Sequence, residues 1–293
     1  MIKKLTIADK DEILRITKDI WEGEDYIPFL IDKWFLDENA VIAGYFEDDK
    51  LIGFGRMSQI VPGHVWMEGL RKDPSYEGKG LTYKLSGFFF EELKKIKEIK
   101  SIRFCTYFDN QSSIKANEHL GFTLEKRFSF KEYSIKHRKR KFPDQIKRNN
   151  DIDSAFSLIA SSRYLNDTSN NVIKGWKVAA TDKTWIETIL NEGIFFEYRD
   201  QDILKGFALV WKTDYEPAIW ISVIEYDSYA VFRELMVAIE SYGQKMRVSK
   251  IQAALPPGKY REDFNRIGFF SWECEDDFLL YSLPTELLQK LKK

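Results

Sequence analysis

Between Glu68 and Leu85 the chain reads as a strand, a glycine-bearing turn and the start of a helix in immediate succession, which restricts it to folds that join a sheet to a helix at a tight turn. The turn is Glu77-Gly78-Lys79-Gly80-Leu81-Thr82. Glycines at 78 and 80 permit left-handed backbone and the close approach of a ligand, and the first amides of the following helix have no intrahelical partner. Such a turn offers N–H donors and the positive end of the helix dipole to a phosphate or pyrophosphate, with Lys79 as a mobile charge. The bare pattern is equally that of a plain strand-to-helix connection. No Gly-Lys-Ser/Thr closes it, and the three-glycine dinucleotide fingerprint is absent, which disfavours a nucleoside triphosphate or a nicotinamide cofactor.

The turn sits in a regular succession of elements. Ile2 to Ile7 reads as a strand, and Asp9 or Asp11 can cap a helix carrying Ile13, Leu14 and Ile20. Val41 to Phe46 and Leu51 to Gln59 read as a hairpin. A helix from about Leu81 to Lys97 and a strand from Ile102 to Tyr107 come next. Asn110 is placed to cap a further helix that Gly121 terminates, and Phe122 to Tyr133 is expected to supply a final pair of strands. In the second half, Phe195 to Tyr198 and Leu204 to Trp211 form another hairpin, followed by a strand from Ala218 to Glu225. A helix from Ala230 to Tyr242 and a strand from Ile251 to Leu255 complete the series. Gly268-Phe269 echoes Gly121-Phe122, so the architecture repeats about 150 residues on.

The segments around Glu77–Thr82 and Phe104–Phe122 resemble the GNAT acyltransferases, whose Arg/Gln-x-x-Gly-x-Gly/Ala loop wraps the pyrophosphate of acetyl-CoA. A third segment, Gly23-Glu-Asp25-Tyr26-Ile-Pro28 with Trp34 following, is similar to the branch that contains histidine N-acetyltransferase-like proteins. The resemblance implies an α/β fold of mixed sheet and two tandem GNAT-like domains, each a twisted, mostly antiparallel sheet flanked by helices. The expected division is 1–137 for the acetyltransferase domain and 138–293 for a degenerate domain. Glu225-Tyr-Asp-Ser-Tyr stands where the second loop would be, with two acids and no glycine. Acetyl-CoA is the expected cosubstrate, and a small or amino-acid-like primary amine the expected acceptor.

The same resemblance assigns roles residue by residue. Leu70, Arg71, Lys72, Glu77, Gly78, Lys79, Gly80, Leu81, Thr82, Asn110 and Ser113 are expected along the cofactor, with Leu70 to Lys72 offering amides to the thioester carbonyl. Glu68 is the first candidate for the base that accepts the amine proton, against a plain ion pair with a nearby Lys or Arg. Alternation puts Glu68, Leu70 and Lys72 on one face and Gly69 and Arg71 on the other. Arg71 and Asp25 are candidates for holding the carboxylate and ammonium of an acceptor, with Tyr26 and Tyr107 lining its pocket. Glu77, Thr82 and Asn117 depart from the family pattern, Asn117 standing where a proton-donating tyrosine is usual. Either Tyr83, Tyr107 or water donates instead, or the thiolate leaves unaided, and His119 reads as a surface residue. These departures keep a second reading open, a non-catalytic acyl-CoA-binding or sensing protein.

Composition narrows the field. Of 293 residues, 45 are Lys or Arg and 46 are Asp or Glu, so no global field points to nucleic acid or an acidic membrane. The run Lys136 to Lys141 reads as a solvated linker, with a nucleic-acid contact as the lesser alternative. Cys105, Cys274 and three histidines supply neither a disulfide framework nor a metal site. With no apolar leader or membrane-length stretch, the expectation is a cytoplasmic, metal-free protein, monomeric or homodimeric.

Overall fold

Runs of apolar residues at strand spacing, broken by Glu47-Asp-Asp-Lys50 and Val61-Pro-Gly-His64, set up an antiparallel meander at the start of the chain. The computed structural model describes residues 1–76, 80–136, 141–284 and 286–287. Glu77, Gly78 and Lys79 of the glycine turn, and positions 137–140 of the basic run, lie outside the described residues.

Contacts group the chain into two compact units, Met1–Glu125 together with the segment from Leu280 on, and Lys126–Leu279. In the first, β1 (Ile2–Lys4) leads through α1 (Lys10–Thr17) and α2 (Ile27–Leu36) to β2 (Ala40–Glu47), β3 (Lys50–Val61) and β4 (His64–Lys72). These are followed by α3 (Leu81–Leu93), β5 (Ser101–Tyr107) and α4 (Gln111–His119). The strands lie in the order β1-β2-β3-β4-β5, antiparallel except between β4 and β5. Ile13 and Ile16 of α1 and Ile27, Ile31 and Trp34 of α2 bury their apolar faces on Ile42, Leu51 and Phe54 of the sheet.

β6 (Thr123–Ser134) is one unbroken strand where the sequence suggested a pair. Its residues from Lys126 belong to the second unit, where Ser129–Ser134 pair antiparallel with β13. That unit contains β7 (Ile146–Asn149), α5 (Ile152–Ala160), α6 (Arg163–Asp167), the small hairpin β8 (Asn171–Lys174) and β9 (Lys177–Ala180), and α7 (Lys183–Glu192). It continues with β10 (Gly193–Asp200), β11 (Ile203–Lys212), β12 (Ala218–Tyr226), α8 (Tyr229–Lys245), β13 (Lys250–Leu255) and α9 (Lys259–Ile267). Its main sheet runs β6-β13-β12-β11-β10-β7. The last strand, β14 (Phe278–Ser282), returns from Leu280 to the first unit beside β5, where the Leu283 amide donates to Ile102 O at 2.9 Å. Tyr281 stacks on Phe104 at 5.2 Å, and Leu287 lies over Gly121. Grouping by packing therefore differs from the division at 137/138.

The two units share a register. Gly53 and Phe54 of β3 face Lys72 and Arg71 of β4, and Gly206 and Phe207 of β11 face Tyr226 and Glu225 of β12. The next residue closes each ladder in the same way. Asp73 N donates to Ile52 O at 2.7 Å, and Asp227 N to Lys205 O at 2.9 Å.

One irregularity in β4 overrides simple alternation. Phe54 pairs with Arg71 and Arg56 with Glu68, so Gly55 alone opposes both Gly69 and Leu70. Gly69 takes φ +68°, and a Cβ there would lie 2.3 Å from the Trp34 ring. This bulge corrects the expected faces. Glu68 and Arg71 share the side of α2, while Leu70 lies on the side of Gly55 and Phe89 of α3. Left-handed backbone and overlap with a buried indole together predict that Gly69→Ala destabilises the protein by about 2–4 kcal/mol. A urea midpoint within experimental error of wild type would disprove that.

Asp73 pins the exit from β4. Its buried carboxylate accepts from Ser75 N at 2.9 Å, Ser75 Oγ at 2.7 Å and Arg15 Nη1 at 2.6 Å, with Lys50 Nζ at 3.0 Å. The Ser75 hydrogen bonds, then Arg15 and Lys50, hold its pKa far below the ordinary carboxylate range despite burial. A depressed folded-state pKa contributes stability that is complete above the unfolded pKa and is lost progressively as pH falls from there through the folded one. Asp73→Asn should accordingly lower Tm at pH 7, with the gap to wild type narrowing steadily below about pH 4. Parallel Tm curves from pH 7 to pH 2.5 would refute the assignment.

Candidate active site

The parallel ladder between β4 and β5 is short, joining His64, Val65 and Trp66 to Ser101, Ile102 and Arg103. Both strands run on past it, to Lys72 and to Tyr107. The stretch of β4 beyond the ladder holds Glu68 and the bulge, and that of β5 holds Cys105 and Tyr107. Burial pushes the Cys105 thiol well up, which keeps it protonated and unsuited to nucleophilic attack at neutral pH.

α3 begins at the same end of the sheet. Its N-cap is Gly80, at φ +82° and ψ 12°, with no side-chain hydrogen bond on the helix start. Among the described residues, a Cβ at Gly80 would meet nothing within 4 Å. The intrahelical partners of the Leu81, Thr82 and Tyr83 amides would precede the helix. Thr82 is half-buried and Tyr83 exposed, while Leu81 packs against Gly53. Tyr76, the last described residue before the turn, donates to Glu47 at 2.9 Å, and Lys84 donates to Tyr45 at 2.8 Å. Among the described residues the site fits a bound pyrophosphate: a helix N-terminus with a glycine at its cap and no described side chain bonded to its first amides.

Asn110 caps α4, its Oδ1 accepting from Ser113 N at 3.3 Å and Ser112 Oγ at 3.2 Å. The buried Asn117 turns its amide back onto Ser113 O at 2.9 Å and Ser113 Oγ at 3.3 Å. His119 is exposed, its Nδ1 2.7 Å from Lys115 O in its own helix.

On the acceptor side, two expected handles meet. Arg71 Nε and Nη2 donate to Asp25 at 2.8 and 3.1 Å, and Nη1 donates to Leu70 O at 3.1 Å. Asp25 is buried and also accepts from Ile27 N at 3.1 Å. The guanidinium lies 4.5 Å from the Trp21 ring and 5.4 Å from that of Tyr26. Trp21 is exposed and, with Glu22, adopts left-handed backbone, at φ +49° and +59°. Burial chiefly raises the Tyr26 pKa, so its hydroxyl stays protonated.

Glu68 finds a partner that sequence reasoning did not identify. Arg56 Nη1 donates to Glu68 and to Ser58 Oγ, the latter at 3.1 Å, while Nη2 donates to Asp37. Arg56 is only 2% exposed and its guanidinium lies 5.2 Å from the Trp34 ring. The available signal was the hairpin itself, since a charged residue in the apolar stretch Leu51 to Gln59 needs a countercharge on the neighbouring strand.

The second unit has the same frame with different contents. Glu225, at the register position of Arg71, accepts from Arg163 Nη2 at 2.6 Å, Tyr164 N at 3.0 Å and Tyr260 Oη at 3.0 Å. Tyr226 donates to Asp263 at 2.9 Å and packs on Tyr260 and Phe232. α8 starts at Ser228, whose hydroxyl accepts from Val231 N at 3.4 Å, so a side chain covers the helix start that Gly80 leaves open in α3.

Comparison with known proteins agrees with this geometry. Residues 10–122 match the model of the Acetyltransferase (GNAT) family. A histidine N-acetyltransferase of Oreochromis niloticus is 33% identical over 100 residues, which cover 33% of this chain and 30% of that protein. The chain thus spans under a third of the length of the curated relative it matches. A tandem GNAT protein from the clavulanic acid biosynthesis pathway superposes with a TM-score of 0.65 at 11% identity, covering 96% of this chain and 97% of the other. A GCN5-related N-acetyltransferase from Sphaerobacter thermophilus gives a TM-score of 0.64 at 12% identity, covering 96% and 94%. The mixed sheets, the helix start behind β4 and the paired registers accordingly agree with a tandem GNAT fold, and the match to the GNAT acetyltransferase family lies in residues 10–122.

Proposed function

We propose that the N-terminal domain is an acetyl-CoA-dependent N-acetyltransferase acting on the primary amine of a small or amino-acid-like acceptor. The observation that carries this reading is the uncapped start of α3 behind Gly80, at the sheet end where β4 and β5 part. Amides from Gly80, Leu81 and Thr82 would hold the pyrophosphate, in a turn that includes Glu77, Gly78 and Lys79. Leu70, Arg71 and Lys72 would offer backbone N–H groups to the thioester oxygen, and Asn110 and Ser113 would border the pantetheine. Acetyl-CoA supplies an activated acyl carbon. The amine nitrogen bonds to it, the carbon–sulfur bond breaks, and the sulfur leaves with the bonding pair. The proton leaving the amine goes to Glu68, directly or through one water.

On the acceptor side, Asp25 takes two of the five N–H groups of Arg71 and Leu70 O takes one. Asp25 therefore aligns Arg71, which Tyr26 also engages, and an acceptor carboxylate would bind this guanidinium between Tyr26 and Trp21. Tyr107, at the end of β5, would line the far wall and is a candidate proton donor to the departing sulfur in place of Asn117. The alternative, a protein that binds acyl-CoA without turnover, draws support from Asn117, which is engaged within its own helix. We place the activity in 1–137 and assign 138–293 a cofactor-free role, supported by the Tyr226, Tyr260 and Glu225 cluster. The proposed setting is the cytoplasm, with no nucleic-acid partner.

Calorimetric titration with acetyl-CoA tests the site. Thr82→Glu puts a carboxylate in the first turn of α3, where it is compatible with the helix dipole but repels a pyrophosphate. We expect wild-type binding, affinity reduced at least about tenfold in the variant, and an unchanged or slightly raised Tm. Absence of binding by the wild type would overturn the proposal. Binding without transfer to any amine would favour the non-catalytic alternative.

A further inference from the structure

Glu68 does not have Arg56 to itself. Asp37, just past the end of α2, accepts from the other terminal nitrogen of the same buried guanidinium. A carboxylate alone with a buried arginine is held ionised and makes a weak base. A second carboxylate on that arginine opposes the effect by adding negative potential where Glu68 would ionise. The arrangement is fixed. Asp37 Oδ1 accepts from Asn39 N at 3.0 Å, Ser58 and the Trp34 ring hold Arg56, and the bulge at Gly69 turns Glu68 to the same side.

We propose that Asp37 is a positioning residue for the transfer reaction: by holding the far side of the shared guanidinium, it keeps Glu68 basic enough to take the amine proton. This rests on the acetyltransferase reading above. Also on this side of the sheet are Asp25, Arg71 and Tyr26, whose phenol interacts electrostatically with Glu68, and, just past the end of β4, Asp73 with Arg15 of α1 and Lys50. Within the cluster itself Asp25, Glu68 and Asp37 face Arg56 and Arg71, an excess of one carboxylate that also favours an incoming ammonium group. Asp37 is itself partly open to solvent, with 32% of its side chain exposed, while Arg56 and Glu68 are 2% and 10% exposed.

The test uses the full-length protein and Asp37→Asn, a near-isosteric change that removes the charge and retains an oxygen for Asn39 N. The Glu68 carboxyl, assigned by its disappearance in Glu68→Gln, is followed by carbon-13 NMR against pH. Its titration midpoint should fall by about half to one pH unit in Asp37→Asn. The acidic limb of the kcat profile should move the same way, with the KM for acetyl-CoA within about twofold of wild type. Asp37→Glu should restore both. An unmoved Glu68 midpoint would overturn the proposal and leave the cluster a structural one. A moved midpoint in a protein that acetylates no amine would refute the transferase reading and leave the coupling through Arg56 established.

Discussion

The left-handed backbone at Gly69, pressed against the Trp34 ring, determines what the rest of the first unit can present. An extra residue in one strand reverses the side on which every later side chain falls. Because of it, Glu68 and Arg71 both face α2, where Asp25, Tyr26 and Arg56 meet them, and Leu70 turns to the side of α3. The buried charges depend on this geometry. Arg56 and Asp25 are almost wholly removed from water and are tolerable only because their countercharges lie on the correct face of β4.

The second unit shows the same framework with different contents. Gly206-Phe207 against Glu225-Tyr226 repeats the register of Gly53-Phe54 against Arg71-Lys72. The ion pair survives with its polarity exchanged. In the first unit the acid, Asp25, precedes a tyrosine and the arginine is on the strand, whereas in the second Arg163 precedes a tyrosine and Glu225 is on the strand. Around it, Tyr164, Tyr226 and Tyr260 are buried against one another and Ser228 closes the helix start. Aromatic packing and a side-chain cap stabilise this frame.

Much of this was legible in the sequence because it is local. Gly80 as a left-handed helix start, Asn110 as a cap and the alternating strands follow from the chemistry of neighbouring residues. The loop resemblance pointed to the start of α3, which we propose as the cofactor side. What could not be read depends on long-range placement. Alternation failed at Gly69, because a glycine in a strand signals a bulge only once its partner strand is known. Arg56 with Glu68 and Asp37, and Arg71 with Asp25, join residues 12 to 46 positions apart, and no spacing rule connects them. The run Phe122 to Tyr133 gave no turn signal of glycine or proline, and it is one strand rather than two.

The return of the chain from Leu280 to the first unit has a consequence for biosynthesis. Residues 1–125 emerge from the ribosome first, yet the strand that covers Phe104 and the segment that lies over Gly121 are translated only after all of residues 126–279. At bacterial or eukaryotic elongation rates that interval is on the order of ten seconds or more, during which the edge of β5 awaits its neighbour. Vectorial folding, in which an early domain matures before a later one appears, is closed to this chain. The nascent first unit must wait with an unpaired strand edge, a template for mispairing or for chaperone capture, until the last strand is released.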